Sequence, residues 1–111
     1  MTDELRLQGI GVAPGVLETI VTLAAEGVDG VEKVETTALG GLVHKAGKAL
    51  AVSVDEAGSM SVEVHVTLRY GRPLHEVAQN VQKAVAEALT SQTGQPVTKV
   101  DVFVDAVTFE Q

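Results

Sequence analysis

The sequence contains no cysteine. That absence excludes disulfides, thiolate zinc sites and cysteine nucleophiles, and it is compatible with a cytosolic protein. Tryptophan is missing too, and Tyr70, Phe103 and Phe109 are the only aromatic residues. A core must therefore be assembled from Val, Leu, Ile and Ala. Basic residues are scarce: 8 Lys and Arg stand against 15 Asp and Glu, a net charge of −7. So acidic a chain is repelled by phosphate backbones, which disfavours general binding of DNA or RNA. No apolar run approaches the roughly 20 residues that span a bilayer. Direct membrane insertion is not expected, and any membrane association would come through a partner. The opening Met1-Thr2-Asp3-Glu4 is acidic and runs straight into Leu5, unlike a secretory signal.

What remains is a chain of 111 residues, 45% hydrophobic and 21% charged. Those proportions describe one globular domain over residues 1–111 rather than a disordered segment. Residues 1–4 are expected to be flexible.

Leu5 and Leu7 alternate, and Ile10 and Val12 continue on the opposite parity. That pattern predicts one short strand with a bulge at Gly9. Pro14 suits a first helical position, because its missing N–H would lack a partner there. Val16, Leu17, Ile20, Val21 and Ala24 then follow at helical spacing up to a stop at Gly27. Val31 and Val34 suggest a short extended piece. Residues 36–48 hold three glycines and no period, and they make the longest loop.

The cleanest signal follows. Leu50, Val52 and Val54 alternate with Ala51, Ser53 and Asp55; after Glu56-Ala57-Gly58, Met60, Val62, Val64, Val66 and Leu68 alternate with Ser61, Glu63, His65, Thr67 and Arg69. This is a β-hairpin with one buried and one polar face. Leu74, Val77, Ala78, Val81, Val85, Ala88 and Leu89 mark a second amphipathic helix, ended by Gly94 and Pro96. The final strand reads as Val100, Val102, Val104 and Ala106 on one face. Lys99, Asp101, Phe103, Asp105, Val107 and Phe109 take the other. The order βαββαβ predicts an α+β two-layer sandwich, a mainly antiparallel sheet with two helices on one face.

The pattern resembles the alkaline-shock protein family of bacterial envelope-stress proteins. The likeness is carried by Ile10, Val12-Ala13-Pro14, Val16-Leu17 and Ile20, then by Ala24-Ala25-Glu26, Val28 and Gly30-Val31. It resumes in Val62-Val64-Val66, Tyr70-Gly71, Glu76-Val77-Ala78, Val81-Gln82 and Val85. It closes with Thr93-Gly94, Val97, Val100, Val102-Phe103-Val104 and Val107 to Phe109. Gly15 departs from it, since the family usually has a Glu there that would favour the helix N-terminus. The resemblance implies a non-enzymatic cytoplasmic protein, in some members held at the membrane by a separate anchoring protein and in others tied to lipid metabolism. It supplies no catalytic residues and no cofactor.

The chemical inventory agrees. His75-Glu76 begins like the H-E-x-x-H zinc motif, but Gln79 stands where the second His is required. His44 and His65 join no visible ligand cluster, and His65 faces outward on its strand. Ser53, Ser59, Ser61 and Ser91 lack a nucleophile elbow. No catalytic, metal or cofactor residue is therefore assigned, and a small hydrolase would need a histidine and carboxylate converging in a deep pocket. Lys45 and Lys48 in the glycine-rich loop, with Arg69 and Arg72, are weak anion-binding candidates. They sustain the alternative of a regulatory RNA- or nucleotide-binding module. Phe103, Val107 and Phe109 are candidates for a protein interface on an open sheet face. The preferred expectation is a scaffold of cell-envelope homeostasis, self-associating and docking to a membrane-anchoring or lipid-metabolism protein.

Overall fold

The computed structural model describes residues 5–7, 9–35 and 50–109. Among them lie strands β1 (Leu5–Leu7) and β2 (Ile10–Val12), helix α1 (Pro14–Glu26) and strand β3 (Val31–Val34). There follow β4 (Leu50–Val54), β5 (Met60–Arg69), helix α2 (Leu74–Thr93) and β6 (Val97–Thr108). The α+β order is the expected one, refined at two places. The opening segment is a hairpin, with Leu5 opposite Val12 and Leu7 opposite Ile10. Gly9 adopts φ +80°, and that left-handed turn reverses the chain. A parity switch at glycine serves a turn as readily as a bulge. The extended piece at Val31 is also a strand of the main sheet.

β5 is the centre of that sheet. Its Val62 pairs with Val52 on one side and with Val100 on the other. β4 runs antiparallel to the first half of β5, and β3 runs antiparallel to its end along the same edge. β6 occupies the whole opposite edge and is parallel to β5, from Met60–Val97 to Arg69–Thr108. A parallel neighbour needs a crossover of a dozen or more residues, and the 20 residues of α2 provide it. Three of the four strand pairings are antiparallel.

Both helices lie on the same face. Leu17, Val21 and Ala25 of α1 and Val77, Val81, Val85 and Leu89 of α2 are buried against Met60, Val62, Val64, Val66 and Leu68 of β5. The fourfold spacing on each helix and the twofold spacing on the strand are the periods that put those side chains on one surface. Val100, Val102 and Val104 of β6 extend the layer but stay only half-buried. The β4–β5 turn is tied by Asp55, whose Oδ1 accepts from the amides of Ala57 and Ser59 at 3.0 and 2.9 Å. α2 ends on Gly94 in the left-handed region, its N–H donating to the Thr90 carbonyl at 2.8 Å.

The register of β6 shifts twice against β5, between Met60 and Ser61 and between Val66 and Thr67. The second shift inserts Asp105 between Val104 and Ala106 and reverses the parity beyond it. Ala106 thus sits opposite Thr67 on the outer face, and Val107 sits opposite Leu68, on the helix side. Simple alternation along the strand assigns these two residues the other way round.

Candidate functional site

The outer face of the sheet has no helix over it among the described residues. It is built from the second parity of β5, and its middle is His65. The parallel register sets Phe103 directly opposite His65. The two rings stack, with centroids 4.7 Å apart and planes 19° from parallel. The imidazole edges go to carboxylates. Nδ1 lies 2.9 Å from Asp105 Oδ2, and Nε2 lies 3.1 Å from Glu63 Oε2. Burial acts to lower the His65 pKa, but the hydrogen bonds and negative charges of Glu63 and Asp105 together outweigh it. The net result is a pKa raised above 6.5.

That arrangement limits the chemistry. A general base needs a free ring nitrogen aimed at a nucleophile, and a metal ligand needs a free lone pair. Both nitrogens of His65 are already engaged by carboxylates. The cluster favours a protonated imidazolium, which donates from both nitrogens at once.

Around it the face is laced with ion pairs. Glu35 Oε2 accepts from Thr67 Oγ1 at 3.4 Å and lies 3.5 Å from Lys33 Nζ. Lys99 Nζ lies 3.5 Å from Asp101 Oδ2. Arg69 Nε lies 3.3 Å from Glu32 Oε1, and its Nη1 donates to the Val31 carbonyl at 3.4 Å. Arg72 pairs with Asp29. The structure thus brings Arg69 and Arg72 to one shallow basin of about 500 Å³, with Asp29 in its lining. Lys45 and Lys48 lie outside the described residues.

The three interface candidates occupy different settings. Phe103 is 42% exposed in the middle of the outer face. Val107 is half-buried on the helix side. Phe109, just past β6, is exposed and packs on Tyr70 at a centroid distance of 4.8 Å. His75 and Glu76 face solvent on the first turn of α2 while Val77 is buried. Among the described residues, no group of three or more His, Asp or Glu is placed to hold a metal ion. Glu63 and Asp105, the partners of His65, were not picked out by sequence. Asp105 is 40 residues from His65 and meets it only through the parallel pairing.

Fold and site together define an α+β sandwich with one charged sheet face that no helix covers among the described residues and a stacked aromatic pair at its middle. The chain belongs to the ASP23 (alkaline-shock protein) family, described by a cell envelope-related function; the family model matches residues 2–109. Among curated relatives it is 30% identical over 104 residues to the uncharacterised protein Spy1535 of Streptococcus pyogenes serotype M6. That match covers 92% of this chain and 81% of the relative. It is 26% identical to the uncharacterised protein YqhY of Bacillus subtilis strain 168, covering 97% of this chain and 83% of the relative. Among solved structures it is similar to MamM-CTD 215-293, with a TM-score of 0.53 and 16% identity over 85% of this chain and 99% of that one. A manganese form of MamM CTD gives a TM-score of 0.53 at 17% identity, over the same shares of the two chains. At such identity the likeness is one of fold.

Proposed function

We propose that this chain is a non-enzymatic scaffold of cell-envelope homeostasis. It works on the cytoplasmic side through self-association and through docking to a membrane-bound or lipid-metabolism partner. The observation that carries the reading is Phe103, an aromatic side chain 42% exposed at the centre of a sheet face that no helix covers among the described residues. Isolated exposed apolar residues are ordinary, but a ring stacked in place and ringed by polar groups has the form of an interface anchor. The family's envelope-related description supports the setting. No helix among the described residues is long and apolar enough to cross a membrane, so a partner is the fitting route to the envelope. Catalysis does not enter the reading, because the His65 cluster spends both ring nitrogens on carboxylates.

Light scattering over a concentration series tests it. Wild type is expected to associate, and Phe103→Asp to shift the equilibrium towards monomer. A wild type that stays monomeric at the highest attainable concentration sinks the self-association half of the proposal.

A further inference from the structure

The outer edge of β6 carries a more specific message than its face. Gln82 Nε2 donates to the Val100 carbonyl at 2.9 Å, so that carbonyl points away from the β5 ladder. In a strand, alternate residues aim their N–H and C=O to the same side. Val102 and Val104 therefore share the outward direction. Beyond the Asp105 bulge the parity reverses, and the Thr108 carbonyl accepts from Tyr70 N on the inner side at 2.8 Å. Between the two register shifts, residues 99–104 make one straight stretch whose outer groups have no backbone partner among the described residues; the Val100 carbonyl, held by the Gln82 side chain, keeps a second lone pair for one. The valine row behind it tells the same story. Val62, Val64 and Val66 of β5 are buried, whereas Val100, Val102 and Val104 are only half-covered. Beside the edge runs a groove of about 590 Å³, lined by Gln82, Lys83 and Ala86 of α2 and by Val97 and Val100 of β6.

We propose that this edge pairs antiparallel with β6 of a second copy of the chain, across a twofold axis at Val102. This rests on the self-association reading above and specifies its geometry. The straight stretch chooses the register: the residues whose backbone groups face outward are Val100, Val102 and Val104, and only a twofold at Val102 pairs all three within it. Centred on Val102, Val100 faces Val104 of the second copy, Asp101 faces Phe103, and Lys99 comes to the bulge at Asp105, whose carboxylate also holds His65. Centring on Asp101 sets Asp101 against itself, and centring on Phe103 sets Asp101 against Asp105. Like charges directly opposite destabilise a strand pair, and opposite charges stabilise it. The chosen register also brings Val104 and Val107 of the second copy alongside the groove at Val97 and Val100, covering the half-exposed row. Closure follows from geometry. A twofold contact is isologous and uses this edge in both copies, and the bulges limit the pairing to a short stretch, so the contact closes at a dimer.

The absence of native cysteine makes the test direct. Directly opposed antiparallel residues that exchange hydrogen bonds have Cα atoms about 5.5 Å apart, within the roughly 4.4–6.8 Å that a disulfide spans. Val102→Cys is expected to be captured as a covalent dimer under mild oxidation, while Thr90→Cys, exposed on α2, is not. In sedimentation, Lys99→Asp, which adds a like charge beside Asp105 of the second copy, should weaken association about tenfold. A wild type that never associates overturns both this geometry and the scaffold reading. Association without disulfide capture of the Val102→Cys variant, or unaltered by Lys99→Asp, overturns the edge pairing and leaves self-association standing.

Discussion

His65 lies flat on Phe103, 4.7 Å between ring centroids, and so ties the central strand to its parallel neighbour. The stack is intramolecular, and the outward side of Phe103 stays open. Such pairs contribute roughly 0.5–1.5 kcal/mol beyond simple burial. Phe103→Leu keeps an apolar side chain and removes the ring. It is expected to lower the unfolding free energy by about 1 kcal/mol, read from urea denaturation at low protein concentration. An unchanged midpoint would show that the stack contributes nothing to the folded monomer.

The same histidine makes stability depend on pH, with a definite sign. Its folded pKa is raised above 6.5 because the hydrogen bonds and charges of Glu63 and Asp105 overcome the opposing effect of burial. Between the unfolded and folded values, the native state therefore holds more protons than the unfolded one. Stability from this group is full below about 6.5 and falls as pH rises through the folded value. Denaturation from about pH 5 to about pH 9 should show a loss in wild type that His65→Gln lacks. A parallel pH dependence in the two proteins would remove His65 as the cause.

How much of this was legible beforehand depends on the range of the signal. Leu17-Val21 and Val77-Val81-Val85-Leu89 carry helical spacing within a few residues of one another, and the Met60–Leu68 alternation is local as well. Those elements read directly, as did Gly94 as a stop. The Phe103 and Asp105 contacts of His65 depend instead on β6 returning parallel to β5, and nothing within Val97–Thr108 distinguishes a parallel from an antiparallel neighbour. The inserted Asp105 is just as silent, since a bulge leaves composition untouched while exchanging the faces of Ala106 and Val107. Local periods were visible; pairing across 40 residues was not.

Two leucines on one helix separate core from surface. Leu17 is fully buried between α1 and the sheet, whereas Leu23, further along the helix, is 65% exposed. Truncating a buried leucine loses its transfer free energy and leaves a cavity. Leu17→Ala should therefore cost about 2–5 kcal/mol, and Leu23→Ala less than roughly 0.5 kcal/mol. Thermal melts of the two variants beside wild type check the contrast. Equal losses would contradict the packing of α1 on this face.

The last turn of α2 offers a case where backbone geometry and side-chain space can be told apart. Gly94 sits at φ +76°, and a Cβ built there meets nothing within 4 Å. Any cost of Gly94→Ala must therefore come from the left-handed backbone, about 1–2 kcal/mol for an L-residue. Asparagine tolerates that conformation better, so Gly94→Asn should recover part of the loss. Gly58 provides the contrast. Its φ is +91°, and an added Cβ would lie 2.9 Å from Gln95 Oε1, the tip of a flexible side chain, so Gly58→Ala adds to the backbone strain only a contact that a rotamer change of Gln95 relieves at small cost. Adding Gln95→Ala should remove that contact alone and leave Gly58→Ala with a cost similar to that of Gly94→Ala. Chemical denaturation of these variants measures each part, and a Gly94→Ala protein as stable as wild type would mean that α2 does not end on a left-handed residue.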